Sequence, residues 1–307
     1  MPDALLIASR LALYLSLTLA FGLPVFVLQA VKGDDSGSPI VRRLARLTGV
    51  AALLALAASG VGLWAMARGM SESGDPAAVL DVAGILLTQT SVGMAWDIRV
   101  VSLLFAVGVA FLGFGRQRTG FGTQALLGGV ALATLAWAGH GAMSEGALGW
   151  LHLGSDIVHL LIAGAWVGAI VALVLLALHA AGQQGHETVR LLSDAASGFA
   201  RFGTVIVIVL VVSGILNYLL IIGPSLDGLV DGLYGRLLLA KLGAFAGMLV
   251  LAAANRFRHA PVLQRAFDDG DTSAAIRTLK QSLWAEMGLA ILVLVLVAWL
   301  GTLDPTG

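Results

Sequence analysis

Eight long apolar stretches constrain this chain more than any other feature. They run over about 4–30, 45–67, 84–113, 122–139, 153–179, 201–222, 234–254 and 283–302. A helix needs about 20 apolar residues to cross the hydrocarbon core of a bilayer, and each stretch is close to that length. None keeps up an apolar/polar alternation, so helices are the one spanning form open to them. Only 12% of the residues are charged, about half the share in a soluble globular domain, and the mean hydropathy is +0.93. The expected fold class is therefore all-α, a polytopic transmembrane helix bundle of about eight spans. Residues 1–307 form one transmembrane domain, with four helices in 1–139 and four in 140–307. The apolar opening, Met1 to Val31, is too long for a cleavable signal and reads as the first span. The third stretch has room to begin in a short interfacial piece around Asp81–Gln89.

The connections orient the bundle. Let side A carry the N-terminus and side B be opposite. Lys32, Arg42, Arg43, Arg46, Arg116, Arg118, Arg190, Arg201, Arg256, Arg258, Arg265, Arg277 and Lys280 fall on side B, 13 of the 18 basic residues. Arg10, Arg68, Arg99, Arg236 and Lys241 remain, at side A ends or within spans. The positive-inside rule makes side B cytoplasmic and both termini external. The longest connection, 255–282, is divided by Pro261 and the Asp268–Asp271 turn. It reads as a solvated linker, or as one holding a short interfacial helix over Thr272–Gln281.

Several function classes drop out. Lys+Arg and Asp+Glu are both 18 and no basic block occurs, which argues against nucleic acid as a partner. With no cysteine, disulfides, thiolate metal sites and covalent haem are excluded. No phosphate loop, dinucleotide fingerprint or His-Glu-x-x-His is present, and no enzyme activity is expected. Glycine is abundant, 39 of 307, and the pairs Gly164/Gly168 and Gly243/Gly247 suit close helix packing.

The polar residues in and beside the spans carry the functional signal, because burial in lipid is costly. His140 and Met143 follow the fourth stretch. His152, Asp156 and His159 open the fifth at i, i+4 and i+7, on one helical face. Imidazole and carboxylate suit Cu(II) or Zn(II), and imidazole with thioether suits Cu(I). His152 and His159 are about 10 Å apart along the helix, so the closer metal set is His140, Asp156 and His159, with His152 at the mouth and Met143 as a possible addition. The same residues also fit a structural network joining two spans. They fit a non-covalent haem as well, if His140 and His159 face each other.

Other intramembrane groups read mainly as structural. Asp97 and Arg99, at i and i+2, do not face each other, so Arg99 either snorkels or finds a carboxylate elsewhere. Met94 is a packing residue or a spare thioether. Asn217 lies in the sixth stretch, which Pro224 ends. Lys241 and Glu286 lie near the inner half, where they either neutralise each other or line an exit route.

Ordered motifs give a further reading. They include Gly93-x-x-Trp96-x-x-Arg99, Gly139–His140–Gly–Ala and Asp156–Ile–Val–His159–Leu with Trp166–Val–Gly168. Arg201–Phe202, Ser213–Gly214–Ile–Leu–Asn217, Tyr234–Gly235–Arg236 running on to Lys241, and Ala254–Asn255–Arg256–Phe–Arg258 follow. In this order and spacing the chain resembles the copper resistance protein D family, most clearly over residues 137–302. The resemblance implies copper uptake or homeostasis at the bacterial inner membrane, with a copper ion, Cu(I) or Cu(II), as cargo. It also implies a separate periplasmic copper-binding partner of the CopC type, and it points to His140, Asp156 and His159 as the functional cluster. A membrane scaffold for such a partner is the alternative to transport.

Overall fold

The computed structural model describes residues 4–31, 37–71, 75–112, 117–138, 146–182, 186–224 and 232–304, with the backbone alone for Ala138, Ala200 and Arg201. The helices are α1 (Ala4–Ala30), α2 (Pro39–Met70), α3 (Pro76–Gln89), α4 (Ser91–Phe111), α5 (Arg118–Ala133), α6 (Gly146–Gly182) and α7 (His186–Ile221). They are followed by α8 (Gly232–Ala254), α9 (Ala260–Asp269) and α10 (Ser273–Leu300). A 3₁₀ turn, Thr134–Ala138, extends α5, and a π-helical turn, Asn255–His259, joins α8 to α9. Eight of these helices are long and apolar enough to cross a membrane, counting α8 and α9 as one. No strand occurs among the described residues. The chain is an all-α, polytopic membrane bundle.

Helix starts follow local chemistry. Ser38 accepts from the Val41 amide, Asp75 from the Ala77 amide and Thr90 from the Gly93 amide, so each supplies an acceptor to an otherwise unpaired N–H. Pro39 and Pro76 sit in the first turns of α2 and α3, where a missing N–H costs nothing. The Asp75 cap makes the expected interfacial piece a separate helix, α3, which begins before Asp81. A Cβ at Gly93 would overlap the Leu86 and Leu87 carbonyls, so glycine there lets α4 turn tightly under α3. On side B, the Arg118 guanidinium donates to the carbonyls of Leu28 and Val31, which α1 leaves unpaired at its end.

The 255–282 linker expectation is corrected. Pro261 lies in the first turn of α9 and breaks nothing. Gly270, at φ 88°, makes the turn, and residues from Ser273 onward are already the last spanning helix. Ile276 and Leu279 are buried because they pack into the main core.

The core is built around α6, which packs on α1, α5, α7 and α10. Its closest approach is to α1. A Cβ on Gly22 or Gly168 would overlap the other residue's backbone, so Gly164/Gly168 is a true crossing point. Gly243 has open space around it and Gly247 meets only Leu289, so the second glycine pair marks no such crossing. α7 pairs with α6 and α8 pairs with α10, but α7 and α8 are not a closely packed pair. The space between them holds the polar groups described next.

Candidate functional site

Helices α6 and α7 present matched polar faces. Asp156 and His159 lie one turn apart on α6, and Ser213 and Asn217 lie one turn apart on α7. Asn217 Nδ2 donates to Asp156 Oδ1 at 2.6 Å, and His159 Nδ1 meets Ser213 Oγ at 2.9 Å. The Ser213 hydroxyl hydrogen is directed at the Val209 carbonyl, 2.6 Å away. With that proton used, Ser213 Oγ accepts from His159 Nδ1–H. This selects the tautomer in which Nε2 keeps its lone pair, and Nε2 has no hydrogen-bond partner among the described residues. A neutral imidazole held in this way is the form that ligates a metal.

Asp156 and His159 open onto a cavity of about 190 Å³ on side A. Lys241, Tyr234, Asn217, Tyr218, Arg10 and Tyr14 also line it. Tyr234 and Lys241 are seven residues apart on α8 and so share a face. Lys241 lies within electrostatic reach of Asp156. The cavity therefore holds a carboxylate, an imidazole and two cationic side chains, and the Asn217 Oδ1 atom is buried without a partner among the described residues.

Several sequence expectations need correction. His152 is not at an open mouth. It is 1% exposed, and neither ring nitrogen has a hydrogen-bond partner among the described residues. Its Nε2 is 3.9 Å from Asp156 Oδ2, as the i, i+4 spacing allows. Lys241 and Glu286 do not neutralise each other. Lys241 lies toward side A with Asp156, since α8 starts at that side. The Glu286 carboxylate accepts from Trp166 Nε1 at 3.0 Å and Asn255 Nδ2 at 2.8 Å. Arg99 does not snorkel, and it meets no carboxylate among the described residues. It is 5% exposed, and its Nε donates to Thr134 Oγ1 at 2.9 Å. Met94 is 54% exposed, so it is not core packing, and it lines none of the cavities described. His140 and Met143 lie outside the described residues.

Among the described residues, no three His, Asp or Glu side chains come together closely enough to hold a metal ion. The two cavities that His159 lines contain no second histidine among those residues. Ser213, Tyr234, Arg10 and Tyr14 were not identified as site residues from sequence. The i, i+4 spacing of Ser213 and Asn217, matched to Asp156 and His159, was the available signal for the first of them.

Comparison with known proteins gives the identity of the fold's owner. Residues 1–150 match the family described as copper resistance protein D-like, N-terminal domain, and residues 193–300 match copper resistance protein D. A relative from Pseudomonas syringae pv. tomato, "Copper resistance protein D", is 42% identical over 305 residues, covering 99% of this chain and 98% of its own. "Inner membrane protein YebZ" of Escherichia coli (strain K12) is 29% identical, covering 71% of this chain and 70% of its own. "Copper transport protein CutJ" of Bacillus subtilis (strain 168) is 34% identical, covering 80% of this chain and 45% of its own. No solved structure matches the chain. The eight spanning helices and the two family matches, which together cover most of the chain, lead to one assignment: this is a multi-pass inner-membrane protein of the copper resistance protein D family, with a role in copper resistance or homeostasis at the membrane.

Proposed function

We propose that the protein carries copper inward across the membrane, receiving it at the cavity of Asp156 and His159. The observation that carries this reading is the Ser213-held His159, whose free Nε2 shares a cavity with the Asp156 carboxylate. Imidazole nitrogen with carboxylate oxygen suits Cu(II), and the imidazole sets the pair apart from the all-oxygen ligand sets of calcium and magnesium. On this reading His140, outside the described residues, is the further donor, and His152 backs Asp156 at 3.9 Å. The four helices of residues 140–307 form the copper-handling half, and the four of residues 1–139 brace it. The excess of basic residues on side B supports a periplasmic cavity, with both termini on that side as well. A separate CopC-type protein would deliver the metal to that mouth. The name of the Bacillus relative, a copper transport protein, favours transport over scaffolding.

The test is copper accumulation in cells expressing wild type or His159→Ala at matched membrane levels. Accumulation falls by about tenfold or more in the variant if Nε2 receives copper. Equal accumulation with a correctly inserted variant defeats the reading. A structural role for the same bonds predicts instead that His159→Ala lowers membrane levels and leaves uptake per molecule unchanged.

A further inference from the structure

Glu286 is a buried acid that the outer cavity does not use. It is 3% exposed, in the part of α10 that lies toward side B. Its two oxygens accept from two neutral donors, Trp166 on α6 and Asn255 at the start of the π-helical turn. No basic group pairs with it among the described residues. The Asn255 Oδ1 atom beside it is buried without a partner among them. A lone acid inside a membrane bundle is costly to keep unless a cation visits it. Wide π turns recur at functional positions because they re-aim side chains that a regular helix would place elsewhere.

The cavities connect this acid to the periplasmic site. His159 and Lys241 line both the outer cavity and a second, largely apolar one of about 370 Å³. Trp166 lines that second cavity and also a third of about 260 Å³, which contains Glu286, Asn255 and Arg256. Arg256 is the cationic group facing the third cavity. It is engaged with Thr204 and lies over the Phe257 ring, 5.0 Å from its centroid. Trp166, which lines both of these cavities, packs edge-on against Phe245 of the second at 5.9 Å. Its indole N–H reaches past this aromatic pair to Glu286.

We infer that Glu286, with Asn255, is a second cation-accepting station on the inward path, and that Trp166 is the gate between the two stations. The station would take a small cation, either the copper ion or a proton exchanged against it. This inference rests on the transport reading above.

Proteoliposomes with an internal copper-sensitive dye and an internal pH dye test it, using copper ions as the probe and adding copper-binding titration of the purified protein. Glu286→Gln is expected to retain copper binding and to lose influx by about tenfold or more. Glu286→Asp restores part of the influx, and Trp166→Phe, which keeps the ring and removes the donor, slows it with binding intact. If copper passes Glu286→Gln at the wild-type rate but no longer responds to a pH gradient, the station takes the proton. Copper influx and pH response both unchanged in Glu286→Gln overturn the inference, as does loss of binding together with influx. Should Glu286→Gln not fold, Glu286→Asp and Trp166→Phe decide, and wild-type influx in both overturns the inference. A wild type with no influx at all defeats the transport reading itself.

Discussion

Asp156→Asn is expected to cut copper uptake by about tenfold or more while leaving the protein folded. The substitution keeps side-chain size, and its amide oxygen still accepts from Asn217. What it removes is charge. Lys241 and Arg10 line the same cavity, and Asp156 is the one carboxylate among its described lining residues. Without it the cavity is cationic, and an arriving copper ion meets repulsion in place of attraction. Because copper and Lys241 compete for one carboxylate, Lys241→Met should raise copper affinity in the wild-type background and do little beside Asp156→Asn. Copper influx measured against copper concentration checks both. An Asp156→Asn variant with wild-type influx would remove Asp156 from the path.

Gly168→Leu is expected to prevent assembly of the bundle. The backbones of Gly22 and Gly168 meet at the α1–α6 crossing, with Gly164 alongside. A side chain there cannot be absorbed by rotamer change, because the opposing atoms are backbone. The surrounding residues, Leu23, Phe26, Trp166 and Ile170, are all 3% exposed or less and cannot yield without opening the core. Overpacking of this kind costs about 3 kcal/mol or more when helices must separate. Size-exclusion chromatography and thermal unfolding in detergent report it. Gly243→Leu is the control, since nothing lies within 4 Å of a Cβ at that position, and it should behave as wild type. A folded Gly168→Leu with an unchanged melting temperature would contradict the packing described here.

The spans were legible in the sequence because apolar runs of sufficient length have one structural outcome in lipid. Their ends were less so. Residues 273–281 look polar enough for a linker, yet Ile276 and Leu279 bury against the core; Gly270 makes the turn at the expected Asp268–Asp271 position, whereas Pro261 opens α9 and divides nothing. The candidate site was half legible. Spacing along α6 placed Asp156 and His159 on one face, but spacing says nothing about which face of α7 or α8 lies opposite. The placing of Ser213, Tyr234 and Lys241 around Asp156 and His159 depends on that. The expected Lys241–Glu286 pair fails for the same reason: α8 enters from side A, so Lys241 lines the outer cavity, whereas Glu286, midway along α10, bonds to Asn255 just past the side B end of α8. Spacing along α6 puts His152 about 10 Å outward of His159, which suggests the mouth, but spacing does not show that neighbouring helices cover that end, and His152 is buried.

Metal content decides the central claim. Purified wild type and a His140→Ala/Asp156→Asn/His159→Ala variant would be loaded with copper, washed and analysed for bound metal per polypeptide. Copper retained by the wild type and lost by the folded variant is the result expected of a His/Asp receiving site. Equal copper in the two proteins would contradict it.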